Sequence, residues 1–226
     1  MARMTLDDIF PAFGLEILGG PLRLRGLRTE DIPAVTELAV RGIHGPDFLP
    51  FLYPWSEAAP DELPINAARF YWDSFASFTP QRWHLNLVAR WEDQVVGVQD
   101  VFARTDFRKT HALETGSWLG MPFQGRGIAT LMRQVVCAFC FDQLGAEVMR
   151  SSYIEGNVSS AAVSRKVGYV DNGRRRLADP KSDGYRWERD LLLTPDTFVR
   201  PPFAIQVRGL WPFLHQLGLD DRPSDT

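Results

Sequence analysis

The stretch Met121–Thr130 holds the residues whose types and spacing most clearly point to chemistry. Gln124-Gly125-Arg126-Gly127 is too rich in glycine for the interior of a strand or helix. Leu113–Leu119 before it reads as a strand. Ile128–Phe141 after it runs without Gly or Pro and carries apolar residues at helical spacing. A strand, a glycine turn and a helix start bring the N–H groups of the turn beside the free amides of the first helical turn. That is an anion cradle, suited to phosphate. Glycines also end strands and start helices for purely structural reasons, so the loop alone leaves both readings open.

Other reactive residue types give weaker signals. Cys137 and Cys140 fall three apart within the predicted helix and share a face. No second Cys/His pair accompanies them, so buried packing fits better than a metal site or a disulfide. Such free thiols imply a reducing, cytoplasmic setting. The four histidines, His44, His84, His111 and His215, show no metal-ligand spacing within a predicted helix, and no metal is expected. His44 is a candidate substrate contact because it adjoins an aromatic loop. A net charge of -3 speaks against nucleic-acid binding through bulk positive charge. No run of about 18 apolar residues exists to span a membrane. Asp7 and Asp8, without a continuous apolar core, do not read as a secretory signal.

The surrounding elements must position the loop. Residues 1–20 read as an N-terminal extension, 21–193 as the domain proper and 194–226 as a C-terminal extension. Leu22–Leu27 alternates as a strand, and Thr29 reads as the N-cap of a helix ending at Gly42. Gly45–Pro64 packs Pro46, Pro50, Pro54, Pro60 and Pro64 among Phe48, Phe51, Tyr53 and Trp55, which no regular element carries. Its aromatics either cover the core or form a wall of a substrate site, with Phe48, Tyr53 and Trp55 as contacts. Ile65–Phe78 returns to helix. Trp83–Arg90, Gln94–Arg104 and His111–Leu119 follow as an antiparallel meander, its first hairpin turning at Glu92-Asp93.

Gly145 closes the long helix, and Ala146–Tyr153 reads as a strand parallel to the one before the loop. Asn157-Val158-Ser159-Ser160 caps a further helix, with Gly168 at its C′ position. A strand starts near Tyr169, Arg174–Asp179 reads as polar loop, and Gly184–Leu193 gives the last strand. The C-terminal extension is partly apolar, so it packs on its own domain or on a second subunit, which leaves a homodimer open.

Glu114-Thr-Gly-Ser-Trp118-Leu119, Phe123-Gln-Gly-Arg-Gly-Ile-Ala-Thr130 and Asn157-Val-Ser-Ser160-Ala-Ala-Val163-Ser-Arg-Lys166-Val-Gly168-Tyr169 occur in this order. Together with the element order they resemble the GNAT superfamily of acyl-CoA-dependent N-acyltransferases. More narrowly, they resemble its RimJ/RimL branch, named for enzymes that acetylate the N-termini of ribosomal proteins. The resemblance spans about 21–193. Val167 and Tyr169 depart mildly from the family's Leu-Gly-Phe.

The resemblance implies an α+β layered GNAT fold: a mixed sheet of about seven strands, an antiparallel meander, splayed parallel fourth and fifth strands, and helices on both faces. It implies transfer of an acetyl or succinyl group from acetyl-CoA or succinyl-CoA to a primary amine, directly within a ternary complex. The backbone of Gln124, Gly125, Arg126, Gly127, Ile128, Ala129 and Thr130 would hold the CoA pyrophosphate. Asn157 would bond the pantetheine arm, and an N–H near Trp118 or Leu119 would polarise the thioester carbonyl. A carboxylate near the acyl group is needed to relieve the amine of its proton, and Glu114 is the candidate base. Its alternative role is to orient the loop or pair with a basic residue. Ser160 is the candidate acid for the leaving thiolate, with Tyr153 and Tyr169 as rivals. The acceptor is a protein N-terminus or a small amine. A rival reading is a degenerate domain that binds CoA or a protein without catalysis.

Overall fold

The structure, a computed structural model of the chain, describes residues 3–220. A single helical turn, α1 (Leu6–Ile9), leads into β1 (Glu16–Gly19) and β2 (Leu22–Gly26). α2 (Ile32–Val40) and α3 (Leu63–Ala76) flank the proline-rich loop. β3 (Trp83–Trp91), β4 (Gln94–Ala103), the short α4 (Phe107–Thr110) and β5 (Ala112–Leu119) make the meander. Next come α5 (Ile128–Asp142), β6 (Val148–Ile154), α6 (Val158–Val167), β7 (Val170–Ala178) and β8 (Tyr185–Leu193). β9 (Gln206–Arg208) and α7 (Leu210–Leu217) close the described chain.

The strands form one nine-stranded sheet in the order β7-β8-β6-β5-β4-β3-β2-β1-β9. β5 and β6 run parallel, as a crossover through a helix requires. At the first hairpin Trp91 pairs with Gln94, and Glu92 and Asp93 both take left-handed φ values of 48° and 66°, the twist a two-residue hairpin prefers. β4 and β5 approach closely at Gly97, where a Cβ would lie 2.1 Å from the Trp118 carbonyl oxygen.

Side-chain alternation divides the core between the two faces of the sheet. On one face Val88 and Val98 pack with Ile32 and Val35 of α2 and Tyr71 of α3. On the other, Leu85, Leu87 and Val101 pack with Met132, Val135, Val136 and Phe139 of α5. α5 buries residues almost all the way round, so it needs cover beyond the sheet. α7 supplies part of it: Phe213 is fully buried, with ring contacts to Phe139 and Trp83. The apolar C-terminal side chains Phe213, Leu214 and Leu217 thus lie in the chain's own core.

Several local expectations are corrected. The sheet has nine strands rather than about seven, because Glu16–Gly19 and Gln206–Arg208 add β1 and β9 at its edge. Thr29 is not a helix cap. A 3-10 turn over Thr29–Asp31 precedes α2, and the Asp31 carboxylate accepts the Arg28 N–H at 2.9 Å and two bonds from Arg25 at 2.7 Å. Arg174–Ala178 is strand, not loop; the Asp171–Arg174 turn is an irregularity within β7. This edge strand is polar because its stabilising contacts lie across the ladder. Arg174 and Arg176 stack over Trp187 and Tyr185 at 4.2 and 4.4 Å, and Arg175 pairs with the buried Glu188.

Candidate functional site

The site begins where β5 and β6 part. Their pairing runs from Ala112↔Val148 to Glu114↔Arg150 and ends there. Beyond it the strands splay, and the gap opens beside Gly116, Ser117 and Trp118. β5 then leads through Met121–Phe123, a 3-10 turn, into the glycine loop. Gly125 and Gly127 take left-handed φ values of 72° and 81°, and a Cβ on either would meet nothing within 4 Å. Open space therefore lies over both. Gly127 caps α5 without any side-chain hydrogen bond, and no acidic residue occupies the first turn. The positive end of a 15-residue helix thus faces an exposed, uncapped loop.

Not every loop residue is free to meet a ligand by its side chain. Gln124 donates to the carbonyls of Ile43 and Leu119 at 2.7 and 2.9 Å, so its side chain braces the loop against the segment after α2 and the end of β5. Ile128 and Leu119 are buried, while Gly125, Arg126 and Gly127 are exposed and Ala129 and Thr130 half-buried. Asn157 uses its side-chain carbonyl to cap α6, accepting from the Ser160 N–H at 3.0 Å. Ser160 sits in the first turn of α6, half-buried.

The meander's register sets three rows on the face under α2 and α3: His84, Phe102 and Glu114; Asn86, Asp100 and Gly116; Val88, Val98 and Trp118. Glu114 therefore lies on this face, at the last paired position before the gap. Arg104 holds it, with Nε 2.9 Å from each carboxylate oxygen. The opposite face of the gap is spanned by Arg133 of α5, which donates to Ser151 of β6 at 2.9 Å and to Ser117 of β5 at 3.0 Å. Arg133 is 4% exposed, and no carboxylate among the described residues pairs with it.

Of the rival acids, Tyr169 is buried with its hydroxyl 3.0 Å from Thr115 Oγ1, and burial pushes that hydroxyl well up. Tyr153 is half-buried, beyond the point where β6 leaves β5.

The aromatic loop reaches this region in part. Trp55 contacts Phe51 and Trp118, with ring centroids 5.0 and 6.0 Å apart. Phe48 lies against Gly156 in the turn after β6, where a Cβ would come within 3.0 Å of its ring. The two rings thus border the gap from either side. Arg186 of β8 fixes the loop by donating to the carbonyls of Leu49, Phe51 and Leu52. Tyr53 is 77% exposed and stands apart from them. His44 is held by the Gly45 carbonyl and Ser56 Oγ at 2.7 and 2.8 Å, and faces a separate cavity of about 270 Å³ between α2 and α3.

A family model described as "Acetyltransferase (GNAT) domain" matches residues 21–170. The chain belongs to the GNAT acetyltransferase family. Solved structures agree on the fold of this GNAT chain. One is "RimL- Ribosomal L7/L12 alpha-N-protein acetyltransferase in complex with Coenzyme A", 18% identical, covering 79% of this chain and 97% of that one with a TM-score of 0.62. Another is Mycobacterium smegmatis RimJ in complex with CoA-disulfide, 16% identical, covering 81% and 86% with a TM-score of 0.58. A third is a spermidine N-acetyltransferase SpeG chimera from Vibrio cholerae and hSSAT, 14% identical, covering 77% and 96% with a TM-score of 0.60. The splayed β5 and β6 of this GNAT chain are the fourth and fifth strands expected from its motifs, displaced in number by the added β1.

Sequence reasoning missed three side chains, Arg133 at the gap and Asp100 and His84 on the meander face that carries Glu114. Arg133 reads as one more polar residue on a helix, and its burial follows from partners distant in the sequence: Ser117 of β5, Ser151 of β6 and the Tyr169 ring. Asp100 and His84 read as the polar positions of alternating strands. Only register shows that they share a face with Glu114.

Proposed function

We propose that this GNAT domain transfers an acyl group from acyl-CoA to a primary amine, directly within a ternary complex. The observation that carries the reading is the β5–β6 gap placed beside an open glycine loop at the uncapped start of α5. Backbone N–H groups from Gln124 to Thr130 hold the CoA pyrophosphate, helped by the helix dipole. The pantetheine arm enters the gap, where Asn157 bonds it. An N–H of β5 near Trp118 or Leu119 polarises the thioester carbonyl.

The acceptor approaches from the face bearing Glu114, with Phe48 and Trp55 as walls of its path. Its ammonium loses one proton to the Glu114 carboxylate, directly or through water. The neutral nitrogen forms the C–N bond as the C–S bond breaks. Ser160 hands a proton to the departing thiolate and is restored by the second proton that nitrogen sheds, so the products are amide and CoA thiol. The acceptor is a protein N-terminus or a small amine, and the donor acetyl-CoA or succinyl-CoA. Arg133, a buried cation beside the gap, is the reason to test the acidic donor too.

One observation favours a second reading, a CoA-binding module without catalysis: Arg104 already occupies Glu114. Calorimetry with acetyl-CoA and succinyl-CoA, followed by thiol release over an amine panel, separates the two. Amine-dependent thiol release supports transfer; CoA binding without turnover supports the module; no CoA binding overturns both.

A further inference from the structure

We propose that Asp100 receives the ammonium of the acceptor, across the bare backbone of Gly116, at the mouth of the β5–β6 gap. The inference rests on the acyl-transfer reading and adds to it the group that selects a cationic amine.

Three observations converge on Asp100. The first is register. Asn86, Asp100 and Gly116 form one row across β3, β4 and β5, and Gly116 lies past the last residue pairing β5 with β6. The next place in the row is therefore the gap itself. Gly116 puts no side chain between: a Cβ built there would lie 3.5 Å from Asp100 Oδ2 and 4.0 Å from the Phe102 ring.

The second is charge. Glu114, the neighbouring carboxylate on this face, is neutralised by Arg104. Asp100 has no Lys or Arg partner among the described residues. Its nearest titratable base is His84, with Nε2 3.8 Å from Oδ2. Oδ1 of Asp100 and Nε2 of His84 are both buried without a hydrogen-bond partner. A half-buried carboxylate in this state lacks the cation or donors that offset its desolvation.

The third is the aromatic cover around His84, the partner of Asp100. Phe102 lies 4.9 Å from the His84 ring, and Phe70 of α3 lies 5.4 Å from it on another side. Tyr71 adds a hydroxyl that burial first, and then the Asp100 charge, push up, against an opposing bond from the Trp118 indole. It therefore stays neutral beside the carboxylate. Aromatic faces beside a carboxylate whose one titratable partner is a histidine suit an organic cation. Phe70 is 47% exposed, so this aromatic cluster reaches solvent.

The test compares wild type, Asp100→Asn and Gly116→Ala. Acetyl-CoA affinity is measured by calorimetry, and steady-state kinetics are run on small polyamines, amino-acid amides and short peptides. Loss of a charge-assisted contact raises KM for the cationic amine by about 10- to 100-fold. The Gly116 methyl, at ordinary contact distance from Oδ2, raises it too without disturbing the fold. Acetyl-CoA affinity unchanged within about twofold in both variants shows that the domain is intact. A wild-type KM in Asp100→Asn, with transfer intact, overturns the assignment alone. Wild type that binds acetyl-CoA but acylates no amine overturns the functional reading, and this inference with it.

Discussion

Both carboxylate oxygens of Glu114 lie 2.9 Å from Nε of Arg104. The carboxylate is therefore compensated, and a role as base would require Arg104 to swing aside. The Arg104 side chain is 62% exposed, so such a movement is cheap: an exposed pair of this kind contributes about 1 kcal/mol or less. Glu114→Gln is expected to leave thermal unfolding almost unchanged and to lower kcat by about 10²- to 10⁴-fold. Initial rates at saturating amine and acetyl-CoA measure this. A kcat within about threefold of wild type would remove Glu114 from proton transfer.

Gly127 sits at φ 81°, with open space where a Cβ would go. Gly127→Ala meets no steric clash but strains the left-handed backbone by about 1–2 kcal/mol. Strain relief tilts the amides of the loop. The expected result is a small fall in Tm together with a rise of about tenfold or more in the Kd for acetyl-CoA. An unchanged Kd would mean that this loop does not hold the donor.

Arg133 links Ser117 and Ser151 across the two strands that part. A buried cation without a carboxylate is costly, so Arg133→Met is expected to be neutral or stabilising in thermal unfolding. The strands lose their spacer, and affinity for acyl-CoA is expected to fall about tenfold. Unfolding scans and calorimetry on the same variant read both effects. Lower stability with unchanged donor affinity would make Arg133 a plain support of the core.

Burial pushes the Cys137 thiol from 9.0 up to about 11, against a smaller opposing effect of Arg133. The folded chain thus holds this proton more tightly than the unfolded chain. The resulting stability is present in full below pH 9 and is lost as pH rises through about 11. Urea midpoints should fall across that window, and less steeply in Cys137→Val. Equal slopes in the two proteins would refute the linkage.

How much of this was legible in the sequence depended on whether the cause was local. The strand, glycine turn and α5 could be read because left-handed backbone and a Gly-free helix are written in neighbouring residues. The hairpin at Glu92-Asp93 was legible for the same reason. β7 was not, since its arginines are held by Trp187, Tyr185 and Glu188 on another strand. The places of Glu16–Gly19 and of Phe213 were hidden too, because each depends on a partner about 190 residues or more away in the chain or on the cover α5 requires. The glycine loop was therefore visible as a motif. The row of Asn86, Asp100 and Gly116 exists only once register is fixed, and with it the charge that faces the gap.

Mass spectrometry of the amine panel after incubation with acetyl-CoA or succinyl-CoA tests acyl transfer to an amine. At least one primary amine is expected to gain a single acyl group, with one CoA thiol released for each amide formed. Tight CoA binding with every amine unmodified, and no thiol released beyond the enzyme-free rate, would contradict it.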